Sequence, residues 1–220
     1  ITYLGPDDNF WSMGTGSGPC GPCTEIYYDL GPLAATPADR WLEIWNLVFM
    51  QHASHPDGSL SPLSRPCVDT GMGLERVAAV LQGKSTNYET DTFTILTNGV
   101  LSLLANDTDR AKAHFNMPHV RIIADHVRAA VHLIGDGVTP GSTGRPYVLR
   151  RILRRAINAG RQLNFSAPFL AHMVPFVLSV ASPESRVLLA AKQGMISAVL
   201  EREEIAFGEN LLRGLSLLDD

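Results

Sequence analysis

Cysteine is scarce in this chain: only three occur in 220 residues, Cys20, Cys23 and Cys67. A small odd set cannot build the disulfide framework of a secreted domain and fits a reducing compartment, so a cytoplasmic location is expected. Long apolar runs are also missing. Stretches such as 48–50 and 129–131 fall far short of the roughly 20 residues that span a bilayer, which argues against a membrane helix. Nor does a basic segment followed by an apolar core open the chain. The first residue is Ile1 rather than Met, so a piece of something longer is expected. Charge of one sign is not in large excess: 18 Lys+Arg against 22 Asp+Glu give a formal net charge of -4, so any nucleic acid must be met by a local basic stripe. What is present, 45% hydrophobic residues with 14 Pro and 19 Gly, describes a folded protein. One large domain or two small ones fit this length.

The first third is rich in Gly, Pro and strand-forming residues, and the rest is rich in Ala, Leu and Arg at helical spacing. The change falls near residues 83–87 and divides the chain into expected domains 1–86 and 87–220. Strands are expected at 25–28, 41–50 and 67–70, where β-branched and aromatic residues are flanked by turn formers. Alternation along the second puts Trp41, Glu43, Trp45, Leu47 and Phe49 on one face. Leu42, Ile44, Asn46, Val48 and Met50 take the other, with Asn46 the single polar side chain there. After a loop through Pro56, Asp57 and Gly58, the third strand turns at Gly71 and Gly73 into a helix over 74–82. Further helices are expected at 92–105, 119–133, 146–160 and 168–180. A last one runs from 185 nearly to the end, with Leu188, Ala191, Met195, Val199 and Leu200 as its apolar stripe.

Several patterns carry chemistry. Cys20-Gly21-Pro22-Cys23 matches a thiol redox tetrapeptide, but that motif normally follows a strand and opens a helix. Here a glycine loop precedes it and a strand follows, which favours a rigid loop with buried thiols. A zinc site would need a second ligand pair, which Cys67 and seven scattered histidines do not supply. In Asp69-Thr70-Gly71-Met72-Gly73-Leu74-Glu75-Arg76, the glycines let a ligand approach the backbone at a strand-to-helix turn. Arg76 offers a planar fork of donors for phosphate oxygens, and Asp69 suits an ammonium group. An ordinary turn with a capping Asp and a surface Arg reads equally well from this segment alone.

Arg150, Arg151, Arg154 and Arg155 fall on one side of a helix, with Arg145 at its start. No Asp or Glu occurs among residues 141–165 to pair with them. A phosphate backbone is the functional partner they suggest, and acids on other helices such as Glu201, Glu203 and Glu204 are the structural alternative. His126 follows Asp125 on a helix, where neighbours in sequence do not face each other, so a structural role is expected for it.

Taken in order, Asn9-Phe10-Trp11, Gly18 to Ile26, Glu43 to Gln51, Asp69 to Arg76, Ile123 to Arg128 and Tyr147 to Arg155 closely resemble the alanyl-tRNA synthetase family of class II aminoacyl-tRNA synthetases. The likeness covers essentially the whole chain. It implies an α+β fold: part of the class II antiparallel sheet with flanking helices, followed by an all-α tRNA-recognition domain. It implies alanine-tRNA ligase activity, in which ATP and alanine give alanyl-adenylate and the alanyl group passes to tRNA(Ala), with Mg2+ assisting. Trp11, Asn46, Val48 and Asp69 match the family's alanine pocket, and Asp69 holds the α-amino group. Gly71, Gly73 and Arg76 match the motif 3 contacts to ATP, so Arg76 and Asp69 are the expected catalytic residues.

Motifs 1 and 2 would lie upstream of Ile1, and the zinc-binding editing domain and C-terminal domain downstream of Asp220. The chain alone is therefore expected to be a poor catalyst, to hold no metal and to associate with the rest of a synthetase. The glycine loop Gly14 to Gly18 is one residue longer than the usual bacterial form. Ser142 stands where the family has an asparagine that reads the acceptor stem's G·U pair, and it joins Arg145, Arg150, Arg151, Arg154 and Arg155 as the expected tRNA contacts. The alternative is a non-catalytic RNA-binding module or split partner that uses the arginine helix alone.

Overall fold

The computed structural model describes residues 1–14 and 17–219, without the side chains at 107, 212 and 215–219. The middle of the glycine loop, Thr15 and Gly16, lies outside the described residues. The chain forms two compact units, residues 1–90 and 91–220.

In the first unit a short helix α1 (Pro6–Asn9) leads into a four-stranded antiparallel sheet of β1 (Phe10–Ser12), β2 (Gly18–Asp29), β3 (Trp41–Ser54) and β4 (Leu60–Met72), in that order. Helix α2 (Leu74–Leu81) follows, over nearly the expected span. The three expected strands lie within longer ones, 41–50 sharing its first residue with β3. Prolines hide the extensions: Pro62 pairs with His52 on the outer strand β4, where a missing N–H is tolerated. The Pro56-Asp57-Gly58 loop is a tight hairpin turn, with Gly58 at φ 81° and the Asp57 carboxylate accepting from the Ser59 amide at 2.9 Å.

Two irregularities between β2 and β3 shape the sheet, and a third shifts the β3–β4 register between Met50 and His52. The register between β2 and β3 shifts between Cys20 and Cys23, where a Cβ on Gly21 would lie 1.9 Å from the Phe49 carbonyl oxygen, so only glycine fits. A second shift pairs Ile26 with Trp45 but Tyr27 with Glu43, leaving Ile44 as the extra residue of a bulge. That bulge corrects the simple alternation. It reverses the strand's phase and brings Glu43 to the face that holds Asn46. One small core cluster of this unit joins Cys23, Val48 and Met50, with Trp11 and Leu63 packed against them, and Cys20, Leu30 and Ala79 are buried as well.

The second unit holds α3 (Asp91–Ser102), α4 (Asp107–Phe115), α5 (Met117–Gly135), α6 (Gly144–Gln162), a 3-10 turn (Leu170–Met173), α7 (Val174–Val180), α8 (Pro183–Ala191) and α9 (Gln193–Asp219). Its described residues form helices and no strand, so the fold mixes an antiparallel sheet with helices. Helix α5 is central and packs against α3, α4, α6, α7, α8 and α9. Val120, Ile123, Val127, Val131 and Ile134 recur every three or four residues along it and are fully buried, each contributing roughly 1.5–3 kcal/mol.

Helix α4 is absent from the sequence-based expectation although its start signal is present: the Asn106 side chain caps it, accepting from the Asp109 amide at 2.8 Å. The expected single C-terminal helix is two, broken at Lys192, whose ammonium donates to the Gly135 carbonyl at 2.6 Å. The break rotates the apolar stripe. Leu188, Ala191 and Met195 are exposed, Leu189 and Ile196 are buried in their place, and Val199 and Leu200 are buried as the stripe expects. Among the described residues no helix is long and apolar enough to cross a membrane.

Candidate functional site

Cross-strand pairing decides which side chains share a face of the sheet. Cys23 pairs with Val48 and Val48 with Asp69; one step along, Glu25 pairs with Asn46 and Asn46 with Gly71. Directly paired residues point the same way with Cβ atoms about 5 Å apart. Cys23, Glu25, Asn46, Val48, Asp69 and Gly71 therefore lie together on one face, and Trp11 packs onto the Cys23–Val48–Met50 cluster at its side. The structure thus brings together Trp11, Asn46, Val48 and Asp69, which are far apart along the chain.

Two polar details mark this face. The Asn46 amide nitrogen donates to the Glu25 carboxylate at 3.5 Å, while its oxygen is buried and accepts nothing among the described residues. A buried acceptor without a donor costs about 1–3 kcal/mol, which a ligand's N–H would recover. Asp69 is exposed, and one of its oxygens accepts from the Thr70 amide at 2.9 Å, leaving the other open. A Cβ on Gly71, the strand neighbour of Asn46, would meet nothing within 4 Å, so the space over Gly71 is clear. Further along, a cavity of about 500 Å³ is lined by Asn9, Thr24, Glu25, Tyr27 and Trp41, with Ile1, Thr2 and Leu4. The Tyr27 hydroxyl donates to Glu25, which together with burial pushes its pKa up to about 12.

Arg76, in the first turn of α2, is held by a residue that simple alternation puts on the wrong face. Its Nη1 donates to the Glu43 main-chain oxygen at 2.8 Å and to the Glu43 carboxylate at 3.1 Å. The Gly73 amide donates to the neighbouring Ile44 carbonyl at 3.1 Å, which pins the start of the helix to the bulge. With both protons of Nη1 engaged, the Nε–H and Nη2 edge of the guanidinium remains for an anion. A Cβ on Gly73 would lie 3.2 Å from the Arg76 side chain, so that glycine gives the arginine room. Glu43 is the site residue that alternation misses, because a bulge cannot be read from residue types.

The cysteine tetrapeptide lies within β2, not at a helix start. Cys20 is fully buried, and burial with the nearby Glu25 and Glu43 carboxylates pushes the Cys23 thiol up. A redox role needs the opposite, an accessible thiolate. Among the described residues no three His, Cys, Asp or Glu side chains gather as metal ligands.

In the helical unit, α6 places its arginines unequally. Arg154 Nε donates to Glu203 of α9 at 3.1 Å, and Arg150 forms an ion pair with the same carboxylate at 3.4 Å. Arg154 also lies over the Phe207 ring, and Arg150 donates to the Pro140 carbonyl at 3.3 Å. Arg145, Arg151, Arg155 and Ser142 are exposed. His126 departs from the expectation for helix neighbours: its Nδ1 lies 3.0 Å from the Asp125 carboxylate. That contact, with Arg128 and Arg155 nearby, holds Asp125 below the usual carboxylate range.

A face that unites an open carboxylate with an orphaned amide oxygen, next to a guanidinium at a strand-to-helix turn, offers acceptors to a cationic group and donors to an anion. The family comparison agrees in class: the chain belongs to the class II aminoacyl-tRNA synthetases, the model described as "tRNA synthetases class II (A)" matching residues 1–220. Its relatives there are named alanine–tRNA ligases. The one from Desulfosudis oleivorans is 46% identical over 100% of this chain and 26% of its own length. Those from Cereibacter sphaeroides and Acidithiobacillus ferridurans are 46% and 47% identical, again over 100% of this chain. The chain therefore spans about a quarter of the length of these relatives.

Proposed function

We propose that the chain carries part of an alanine–tRNA ligase: one side of the alanine-activating site in the sheet unit, and the tRNA-recognition region in the helical unit. Its partners are then alanine, ATP and the acceptor stem of tRNA(Ala), in the cytoplasm. The observation that carries this reading is the orphaned Asn46 oxygen on the same face as the open Asp69 carboxylate, beside Val48 and Trp11.

An α-ammonium group donates to both oxygens, and a charge-assisted bond to Asp69 fixes its place. Val48 and Trp11 bound the space left for a side chain and favour a methyl group over anything larger. So held, the substrate carboxylate is directed at the α-phosphorus of ATP. One carboxylate oxygen forms the new P–O bond as the bond to pyrophosphate breaks, and pyrophosphate leaves with the electron pair. Arg76, presenting Nε and Nη2, stabilises the phosphate charge, and Gly71 and Gly73 leave the nucleotide room at the turn. Magnesium that accompanies ATP is assigned no ligands in this chain, and no step is routed through it. A ribose hydroxyl of the tRNA's terminal adenosine then attacks the acyl carbon, forming an ester as the bond to the adenylate phosphate breaks; AMP leaves with the electron pair and the hydroxyl proton is released.

Alanine-dependent exchange of labelled pyrophosphate into ATP tests the reading, on the 220-residue chain and on a chain extended upstream. Exchange that appears in the extended chain and is lost in its Asp69→Ala variant is expected. No exchange in either chain, with RNA binding retained, would establish the non-catalytic alternative.

A further inference from the structure

Helix α6 carries more arginine than its own sequence neighbourhood can neutralise, and the structure shows two populations. At 100° per residue, Arg151, Arg155, Asn158 and Gln162 line one side of the helix, with Tyr147 and Val148 at its start. All six are exposed. Arg150 and Arg154 are turned toward α9, where the single Glu203 carboxylate, whose side chain is only 11% exposed, receives both. Arg150 further ties down the Pro140 carbonyl in the loop that carries Ser142.

We propose that α6 divides its arginines between two roles. Arg150 and Arg154 fasten the helix to α9 and to its own leading loop, while Arg145, Arg151 and Arg155, with Tyr147, form the row that meets the phosphate backbone of a structured RNA. This rests on the tRNA-ligase reading of the chain and specifies the surface it uses. Among the described residues no carboxylate pairs within bonding distance with Arg145 or Arg151. Asp125 lies near Arg155 but is shared with His126 and Arg128. Arg151 and Arg155 are one turn apart, about 6 Å along the axis, so both face one strand of a duplex at once. The Arg151 guanidinium lies 5.9 Å from the exposed Tyr147 ring, which gives the row a planar surface for a sugar or an end base. Glu203 is the device that separates the two sets. Its carboxylate keeps two cations out of the partner's reach, so its loss releases them.

The test is binding of a fluorescent tRNA(Ala) acceptor-stem hairpin to the 220-residue chain across a range of salt concentrations. For wild type, affinity is expected to fall steeply with salt; no salt-dependent binding at all would defeat the ligase reading on which the inference rests. Given such binding, R151Q with R155Q is expected to weaken it at least tenfold and to lower the slope of log K against log salt by about 2. R150K with R154K, which keeps both ion pairs to Glu203, is expected to bind as wild type. Glu203→Gln is expected to raise affinity and steepen the salt slope. Equal losses in the two arginine pairs, or weaker binding in Glu203→Gln with its helical circular dichroism intact, would overturn the division. A DNA hairpin or heparin held as tightly, with the same dependence on Arg151 and Arg155, would overturn RNA as the partner.

Discussion

Replacing Glu43 by alanine separates a positioning role from a structural one. The Glu43 and Arg76 side chains are 35% and 43% exposed, so their ion pair is screened by solvent and adds no more than about 1 kcal/mol to stability. The Arg76 bond to the Glu43 main-chain oxygen survives the substitution. What is lost is the second anchor of the guanidinium, and with it the restriction of a side chain whose rotamer freedom is worth about 2 kcal/mol. If half or more of that must be restored when a phosphate binds, kcat/KM for ATP falls roughly 5–30-fold, while KM for alanine changes little. Pyrophosphate exchange in a chain extended to the length of its relatives reads the kinetics, and thermal unfolding of the 220-residue chain reads the stability. Glu43→Gln, which keeps an acceptor at the same reach, is expected to recover most of the loss. An equal effect on ATP and alanine, or no recovery by glutamine, would refute the reasoning.

Asp69→Ala removes a charge-assisted bond to the ammonium group and is expected to raise KM for alanine about 10- to 200-fold in the exchange assay, with ATP use affected less. Glu204 gives a pH signature. It is nearly buried and accepts from the Phe169 and Leu170 amides at 2.9–3.1 Å, yet burial, helped by Glu201, pushes its pKa from 4.5 up to about 7. The folded state then holds the proton more tightly than the unfolded one. Stability is fully present below pH 4.5 and declines by up to about 3 kcal/mol as pH rises through 7. Glu204→Gln, followed by thermal melts from pH 5 to 8, is expected to flatten that decline; an unchanged slope would assign it elsewhere. With Cys20 and Cys23 buried and Cys67 exposed, a mild alkylating reagent at neutral pH is expected to add a single adduct at Cys67 by mass spectrometry. Rapid modification of Cys20 or Cys23 would reopen the redox reading.

Some of this protein is legible in its residues and some is not. The spans of α2, α5 and α6 follow from apolar spacing along one stretch of chain, and the pairing of Asn46 with Val48 on one face follows from alternation within one strand. Both are local periodicities, so sequence carries them in full. The ordered motifs likewise reach the family without coordinates. Residue types do not encode which backbone hydrogen bonds form between strands. The bulge at Ile44, the packing of Trp11 on the Cys23–Val48 cluster and the placing of Asp69 across from Val48 are decided when β1, β2, β3 and β4 register against one another. The same holds for the arginine helix. Its sequence shows a basic face with no acid nearby, but Glu203 arrives from a separate helix much later in the chain, and only that tertiary contact divides the arginines into those that hold the fold together and those left facing solvent.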